Sequence, residues 1–248
     1  MAMTQQPILA TFAIVAFAAG IGCSSPPGRP GKNSEVVPPN QIMDFKLLYS
    51  QNCAGCHGVE GKGGAAIALA NPVFLAIADD GVIRRIAAKG VPGTPMPAFA
   101  QSAGGMLTDK QIDALVSGIR SWAKADALGG QPPPSYTAQA PGNPERGANA
   151  YQTYCSSCHG TDGRGGNKAS SIVDGSYLAL VSDQELRTIV IAGRPELGAP
   201  DWRGDAEGRP MSAQEISDVV AWLSGHRTQF PGQPYPITSS DRDKGGLR

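Results

Sequence analysis

The sequence predicts an all-α protein made of two small tandem domains, and three observations support this prediction. The phrase "NCAGCHGVEGKGG" at Asn52 recurs as "YCSSCHGTDGRGG" at Tyr154, with the same spacing of cysteines, histidine and glycines. Around each phrase, apolar residues recur every three or four positions, which is the period of an amphipathic helix. Between the two regions lies "GGQPPPSY", a stretch rich in proline and glycine that is typical of a linker.

The composition excludes some classes of function and indicates a loop-rich fold. Lysine plus arginine and aspartate plus glutamate both total 21 among the 248 residues, so no excess of positive charge points to nucleic acid. The chain contains 32 glycines and 21 prolines but only 6% aromatic residues. Two small domains of this composition have little apolar core of their own. We therefore expect a large buried ligand to supply apolar surface.

The first residues are predicted to be an export signal. Ile8 to Gly22 forms an uncharged, largely apolar run of 15 residues, shorter than the ~20 that a membrane-spanning helix needs. Cys23 follows in "GIGCSS", which resembles a bacterial lipoprotein cleavage site. We expect a lipid on Cys23, with an uncleaved anchor or simple cleavage as the alternatives. The lipid would also account for the fifth cysteine, since the other four lie in the repeated phrases.

The repetition extends well beyond the cysteine phrase. Cys53 and Cys155 are 102 residues apart, "IAAKG" and "IVIAG" are 103 apart, and "TDKQI" and "SAQEI" are 104 apart. Two single-residue insertions therefore align about 80 residues, which indicates duplication of a whole domain. The predicted organisation is a signal peptide at 1–22, a flexible tether at 23–39, a first domain at 40–125, a linker at 126–143, a second domain at 144–227 and a tail at 228–248.

Each repeat is predicted to contain three helices separated by glycine-rich loops. The first helix precedes the cysteines and the second begins near Asp79 or Ser182. The third is the clearest, with its apolar face at Ile112, Leu115, Val116 and Ile119 in the first repeat and at Ile216, Val219, Val220 and Leu223 in the second. Capping boxes are predicted at Thr108 with Gln111, Ser182 with Glu185, and Ser212 with Glu215.

The sequence Cys-x-x-Cys-His has three possible chemical roles. A thiol–disulfide motif needs no histidine after the cysteines and usually lies in a βαβ unit. A zinc site needs four ligands, whereas each repeat offers three and only His226 is spare. The motif is typical of c-type haem attachment, in which both thiols bond to the porphyrin and the histidine binds iron. Two copies in register in an exported chain favour this third role.

Each repeat resembles a class I cytochrome c domain through "CHGxxGxGG", and the pair resembles the diheme c-type cytochromes of bacterial respiratory chains. The resemblance implies a three-to-four-helix domain around one covalently attached haem in each repeat. It implies thioether bonds from four cysteines, namely Cys53, Cys56, Cys155 and Cys158. It also implies that His57 and His159 bind the two irons, and that a proline carbonyl fixes the first imidazole, for which Pro72 is the candidate.

The repeats differ at the expected distal ligand. Met96 in "GTPMPAF" matches the family's distal methionine, held between two prolines, whereas alignment places Ala199 of "ELGAPDW" there in the second repeat. Met211 is the predicted ligand of the second iron, although it aligns with Leu107, an ordinary apolar position. A vacant or water-ligated iron is one alternative. The others are ligation by His226 or by Lys168.

These features predict a periplasmic, membrane-tethered electron carrier rather than an enzyme. It would pass electrons from a quinol-oxidising complex or a dehydrogenase to a terminal oxidase or another acceptor. The alternative function is a haem enzyme, of peroxidase or sulfur-compound oxidoreductase type, that uses an open distal site at the second haem. A gas sensor would need an output domain, which the sequence does not indicate.

Overall fold

The computed structural model of the protein describes residues 37–204 and 209–228. These residues form ten α-helices and several 3₁₀ turns, and they contain three isolated β-bridges but no strand. The predicted all-α fold is therefore confirmed. The predicted signal peptide, most of the tether, Cys23 and nearly all of the tail lie outside the described residues. Within the described ranges, no helix is both long enough and apolar enough to span a bilayer.

The two repeats have the same order of five helices. In the first repeat these are α1 (Phe45–Asn52), α2 (Ala54–His57), α3 (Pro72–Ile77), α4 (Asp80–Lys89) and α5 (Asp109–Arg120). In the second they are α6 (Pro144–Tyr154), α7 (Ser156–His159), α8 (Gly175–Leu180), α9 (Asp183–Ala192) and α10 (Ala213–Ser224). The apolar faces predicted for the third helix of each repeat, now α5 and α10, are buried throughout.

The predicted caps form, with one exception. Thr108 and Gln111 exchange hydrogen bonds at the start of α5, and Ser212 with Glu215 does the same at the start of α10. Ser182 accepts from the Glu185 backbone at 3.1 Å, but the Glu185 side chain does not return the bond. The Glu185 carboxylate lies near Arg194 instead, whose charge partly offsets the rise in the Glu185 pKa that burial causes.

Helices α3 and α8 were not predicted from the hydropathy pattern. Each has six residues, which is too short to show a helical period. Both start at a polar cap: the Asn71 side chain accepts from two backbone N–H groups, and Asp174 accepts from that of Tyr177. Cap chemistry is therefore the signal that could have located them.

An arginine closes the end of α3 in the first repeat and of α8 in the second. Arg120 on α5 donates to Leu75 O at 2.5 Å and to Ala78 O at 2.6 Å, and pairs with Asp80 at 2.6 Å. Arg227 makes the same bonds in the second repeat, to Leu178 O at 2.9 Å, Val181 O at 2.8 Å and Asp183 at 2.6 Å. The two arginines do not align in sequence, because Ser224 aligns with Arg120 and Arg227 lies three residues further on, past the end of α10.

Helix α1 packs closely against α5, and α6 against α10. In each pair a glycine on one helix faces a large side chain on the other, but the glycine is on the later helix in the first repeat and on the earlier helix in the second. In the first repeat the large residue is Phe45 on α1, and a Cβ on Gly118 of α5 would lie 2.0 Å from its ring. In the second repeat the small residue is on the first helix, since a Cβ on Gly147 of α6 would lie 2.0 Å from Asp218 O and 2.8 Å from the Trp222 Cβ. Each pair therefore preserves the close approach that the fold requires.

The linker is bonded to the second repeat along its length. Arg203 donates to Leu128 O at 3.1 Å, and the buried Arg187 donates to Ser135 O at 2.9 Å. Further on, Gln214 donates to Pro141 O at 3.1 Å. These bonds hold the predicted linker 126–143 against α9 and α10 rather than leaving it as a free tether.

Candidate haem attachment sites

The cysteine motif occupies the same local structure in both repeats. Cys53 ends α1 and begins α2, and Cys155 ends α6 and begins α7. Each short helix ends at the histidine, whose backbone N–H donates to the first cysteine's carbonyl at 3.0 Å in both repeats. One helical turn therefore carries two thiols and an imidazole, as the spacing of the motif requires.

Both imidazoles are fixed by a backbone carbonyl. The Nδ1–H of His57 donates to Ile67 O at 2.8 Å, and that of His159 donates to Ser170 O at 2.7 Å. A carbonyl can only accept, so Nδ1 carries the proton and the lone pair of Nε2 is available to a metal. The prediction that the Pro72 carbonyl orients His57 is wrong, because Pro72 is the first residue of α3, where the carbonyl accepts from the helix's own N–H groups.

The protonation states suit haem attachment better than thiol redox chemistry. Burial raises the pKa of Cys53 and that of Cys155 to about 11 each, with a smaller contribution from the neighbouring cysteine of each motif. Redox-active Cys-x-x-Cys motifs have lowered thiol pKa values instead. Burial also lowers the pKa of His57, which keeps its imidazole neutral and able to bind iron.

The donor set therefore fits a covalently bound haem. Each turn offers two thiols for thioether bonds and one oriented imidazole for iron, and nothing more is needed on the proximal side. Within residues 37–204 and 209–228, no group of three or more His, Cys, Asp and Glu side chains is arranged to hold a bare metal ion.

The glycines after each histidine are required by the turn itself. Gly58 has φ of 79°, and a Cβ there would lie 1.8 Å from Lys62 O. Gly160 has φ of 78°, and its Cβ would lie 2.5 Å from Gly165 O. A tyrosine of the preceding helix closes each turn, since Tyr49 donates to Gly58 O at 2.9 Å and Tyr151 donates to Gly160 O.

The structure places Ala199 where the first repeat has Met96. The Val91 N–H donates to Met96 O at 3.0 Å, and the Arg194 N–H donates to Ala199 O at 3.0 Å. Each loop is preceded by a glycine with positive φ, 67° at Gly90 and 66° at Gly193. A Cβ added to either glycine would meet the equivalent stretch of backbone in its repeat. Met96 is half-buried in this loop, and its bond to iron stays a prediction.

The other predicted distal ligands lie in different surroundings. Met211 is buried, and its N–H donates to Trp202 O at 2.8 Å, as that of Leu107 does to Phe99 O at 2.8 Å. His226 is exposed, and its ring meets the Trp222 ring edge-on at 4.7 Å. Lys168 is exposed in the glycine loop of the second repeat.

Sequence reasoning missed the residues that join the two sites. Asn71 Nδ2 donates to Ala192 O at 3.0 Å, and Arg194 Nη2 donates to Gly64 O at 2.8 Å while its Nε pairs with Glu196 at 2.5 Å. The glycine loop after His57 therefore touches the loop that contains Ala199. The one signal in the sequence is that Arg194 aligns with an apolar residue in the first repeat.

The chain has recognisable relatives among known proteins. A cytochrome bc1 complex cytochrome c subunit of Mycobacterium tuberculosis (strain ATCC 25618 / H37Rv) is 24% identical over 72% of this chain and 61% of its own length. The cbb3-type cytochrome c oxidase subunit FixP of Sinorhizobium medicae (strain WSM419) is 25% identical over 67% of this chain and 60% of its own length. The chain thus spans about 60% of the length of these curated relatives.

Similarity to solved structures is weaker. A reducing HAO-like protein complex of Kuenenia stuttgartiensis (Kustc0457/Kustc0458) matches 74% of this chain and 96% of its own, with 21% identity and a TM-score of 0.40.

One family model matches the chain twice, in register with the internal repeat. It is described as cytochrome c oxidase, cbb3-type, subunit III, and it matches residues 40–117 and 142–223. Each match includes one Cys-x-x-Cys-His turn together with its oriented imidazole. The two matches cover more than half of the chain, and so the protein belongs to this family of c-type cytochromes, whose prosthetic group is covalently bound haem c.

Proposed function

We propose that the protein is a diheme cytochrome c that carries electrons from a quinol-oxidising complex or a dehydrogenase to a terminal oxidase or another acceptor. The observation that carries the proposal is the pair of oriented imidazoles, His57 on Ile67 O and His159 on Ser170 O, each one turn from two thiols. A haem bound at each site supplies one-electron chemistry. No other set of residues in the described chain offers competing chemistry of that kind.

The proposed roles follow the motif residue by residue. Cys53, Cys56, Cys155 and Cys158 form the thioether bonds, and His57 and His159 are the proximal ligands. Met96 is the proposed distal ligand of the first iron, since its loop is stiffened by Pro95 and Pro97 and by the bond from the Met96 N–H to Thr94 Oγ1 at 3.2 Å. Methionine with histidine fills both axial positions and raises the reduction potential.

The contact between the repeats supports electron transfer within one chain. Arg194 and Asn71 connect the glycine loop after His57 to the segment 192–199 of the second repeat. These bonds hold the two proposed haem sites at a fixed separation, so that transfer does not depend on diffusion of one domain toward the other.

The family relatives and the N-terminus support the proposed setting. One relative is named as a subunit of a cytochrome bc1 complex and another as a subunit of a cbb3-type oxidase, which supports a respiratory complex as partner. A lipid on Cys23, followed by the tether 23–39, would hold the protein at the periplasmic side of a bacterial membrane. Mass spectrometry of the mature N-terminal peptide would identify the lipid.

Rapid mixing tests the function. Oxidised holoprotein is mixed with membranes that contain a quinol-oxidising complex, and its absorbance is followed after quinol is added. We expect reduction faster than by quinol alone, and reoxidation when oxidase-containing membranes and oxygen follow. The matched control is Cys53→Ala with Cys56→Ala, which should lose half of the absorbance change. If neither membrane changes either rate, the proposal fails.

A further inference from the structure

We propose that the distal position of the second haem is open and faces Ala199, and that it binds small neutral ligands of the CO and NO class. The inference rests on the proposed function, because it needs a haem at Cys155 and Cys158. It selects one of the alternatives that the sequence leaves open, in place of ligation by Met211.

The first step is that Ala199 takes the position of the distal methionine. The bonds from Val91 N–H to Met96 O and from Arg194 N–H to Ala199 O are equivalent and both measure 3.0 Å. A Cβ added to Gly90 would lie 2.7 Å from the backbone N of Ala98. A Cβ added to Gly193 would lie 2.7 Å from the backbone N of Asp201, the equivalent residue. The two loops therefore follow one path, and a methyl group replaces a thioether at the same place.

The second step is that Met211 is held at a core position. Its backbone bond to Trp202 O equals that of Leu107 to Phe99 O, both at 2.8 Å. The next residue, Ser212, is fixed by the capping box of α10, as Thr108 is in α5. Met211 and Leu107 are buried to the same degree, at 7% and 6% exposure. Met211 thus takes in the second repeat the core position that a leucine, which cannot bind iron, takes in the first.

The third step removes the remaining ligand candidates. His226 lies past the end of α10, where its Nδ1 contacts Trp222 O at 2.9 Å and its ring packs on Trp222. Lys168 is two residues from Ser170, whose carbonyl holds His159, so it belongs to the loop on the proximal side. Neither residue lies in the loop 193–200, which contains Ala199 and matches the loop of Met96.

The fourth step concerns the kind of ligand. Asp201 and Arg203 are the charged residues nearest Ala199 on its C-terminal side, and they pair with each other at 2.5 Å. Arg194 is bound to Glu196 and to Gly64 O. Among the described residues 193–204, every charged side chain is thus engaged in an ion pair. Surroundings of this kind favour binding of a neutral ligand over activation of a bound one.

Titration of the reduced holoprotein with CO tests the inference. The readouts are the Soret band and the number of CO molecules bound per haem. We expect one CO for every two haems in the wild type. Met96→Ala should raise this to two, which locates the closed position at the first haem.

Two substitutions in the second repeat, each introducing the residue found at the aligned position of the first, locate the open site. Ala199→Met restores the residue of the first repeat and should abolish CO binding. Met211→Leu restores the residue that aligns with it and should leave CO binding unchanged, since it conserves volume in the core. Haem content per chain is measured for every variant, so that a loss of haem is not mistaken for a closed site.

The contrary outcomes are distinct. If the wild type binds no CO and Met211→Leu binds one, Met211 is the ligand and the inference is overturned. It is also overturned if a wild type with two haems binds no CO, or if Ala199→Met binds as much CO as the wild type. CO at both wild-type haems would agree with an open second haem and refute the proposed Met96 bond to the first iron. A wild type with two haems and no CO response leaves the electron-transfer proposal standing, whereas a preparation with fewer than two haems refutes the diheme proposal itself.

Discussion

Arg187 is the residue on which the linker depends most. It is 2% exposed, and its guanidinium bonds are to Ser135 O, Tyr136 O and Ser217 Oγ rather than to a carboxylate. Burial lowers its pKa, yet arginine stays charged at neutral pH. The charge is therefore stabilised by neutral acceptors. Tyr136 O also accepts from Gln184 at 2.8 Å, whereas Ser135 O accepts from Arg187.

We expect Arg187→Ala to lower the free energy of unfolding by about 3 kcal/mol, because it removes a fully buried side chain together with its hydrogen bonds to the linker carbonyls. Urea denaturation of the holoprotein, followed by circular dichroism, measures the change. The control is Arg209→Ala, which removes an exposed ion pair with Glu215 and should cost less than about 1 kcal/mol. Equal effects of the two substitutions would contradict the anchoring role.

Residue identity alone predicted the attachment motif but not how its imidazoles are held. The cysteines and histidines occupy one helical turn, as their spacing requires. The carbonyl partners, Ile67 and Ser170, could not be predicted, because any residue has a carbonyl and only the path of the glycine loop decides which one meets Nδ1. For the same reason the expectation for Pro72 was wrong.

Asp218 on α10 is the main polar contact of α6. It accepts from the Asn143 N–H, from Arg146 and from Gln214. Burial raises the Asp218 pKa, but these hydrogen bonds outweigh it and hold the pKa below its usual range. A carboxyl whose pKa is depressed in the folded state stabilises the fold above its unfolded pKa, and that stabilisation is lost as the pH falls through the folded value.

We therefore expect Asp218→Asn to lower stability at pH 7 and the difference from wild type to shrink as the pH falls below about 4. Denaturation midpoints measured between pH 7 and pH 3 report this difference. A gap that stays constant over that range would show that the charge of Asp218 is not what stabilises the contact.

The helix crossing in each repeat depends on one glycine. We expect Gly147→Ala to destabilise the protein by about 1–3 kcal/mol, because the new methyl group would meet Asp218 O and force α6 away from α10. Gly81→Ala in α4 is the control, since its added Cβ meets only the Asp79 side chain, at 3.2 Å, and no backbone atom. Thermal unfolding of both variants compares them. A neutral Gly147→Ala would mean that the helices can separate without cost.

Helix periodicity predicted the long helices and their core faces, but not the pairing of sizes between them. Aligned residues of the two repeats are unlike at these positions: Phe45 aligns with Gly147, and Gly118 aligns with Trp222. Each substitution is explained only by its neighbour across the helix crossing. Arg120 and Arg227 likewise do not align, yet each donates to carbonyls at the end of the short helix of its repeat.

At the scale of the whole molecule, the second repeat makes contacts with the linker and with the other repeat that have no equivalent in the first. It binds the linker, and through Arg194 it binds the glycine loop of the first repeat. The sequence predicted a duplication with a linker, because both are visible as repeated phrases and a proline-rich stretch. It did not predict that the repeats would be bonded together, since the contact involves two side chains, those of Arg194 and Asn71, and backbone carbonyls.

Arg194→Val introduces the residue found at the aligned position of the first repeat, Val91, and removes the hydrogen bond to Gly64 O. We expect hydrogen exchange to increase at two separate segments, around Gly64 and around Ala192. Gly64 loses its bond from Arg194, and the neighbouring contact at Ala192 is then held to the first repeat by Asn71 without that support. Exchange within α5 and α10 should be unchanged. An increase confined to the loop that contains residue 194 would contradict a contact that couples the repeats.

Every role proposed for the two repeats depends on covalent attachment of one haem in each. Intact mass spectrometry of the denatured protein, matured in a host that attaches c-type haem, tests this directly. We predict a gain of two haem masses in the wild type and of one in each paired variant, Cys53→Ala with Cys56→Ala and Cys155→Ala with Cys158→Ala. A wild-type chain that gains none, or a paired variant that still gains two, would contradict the account.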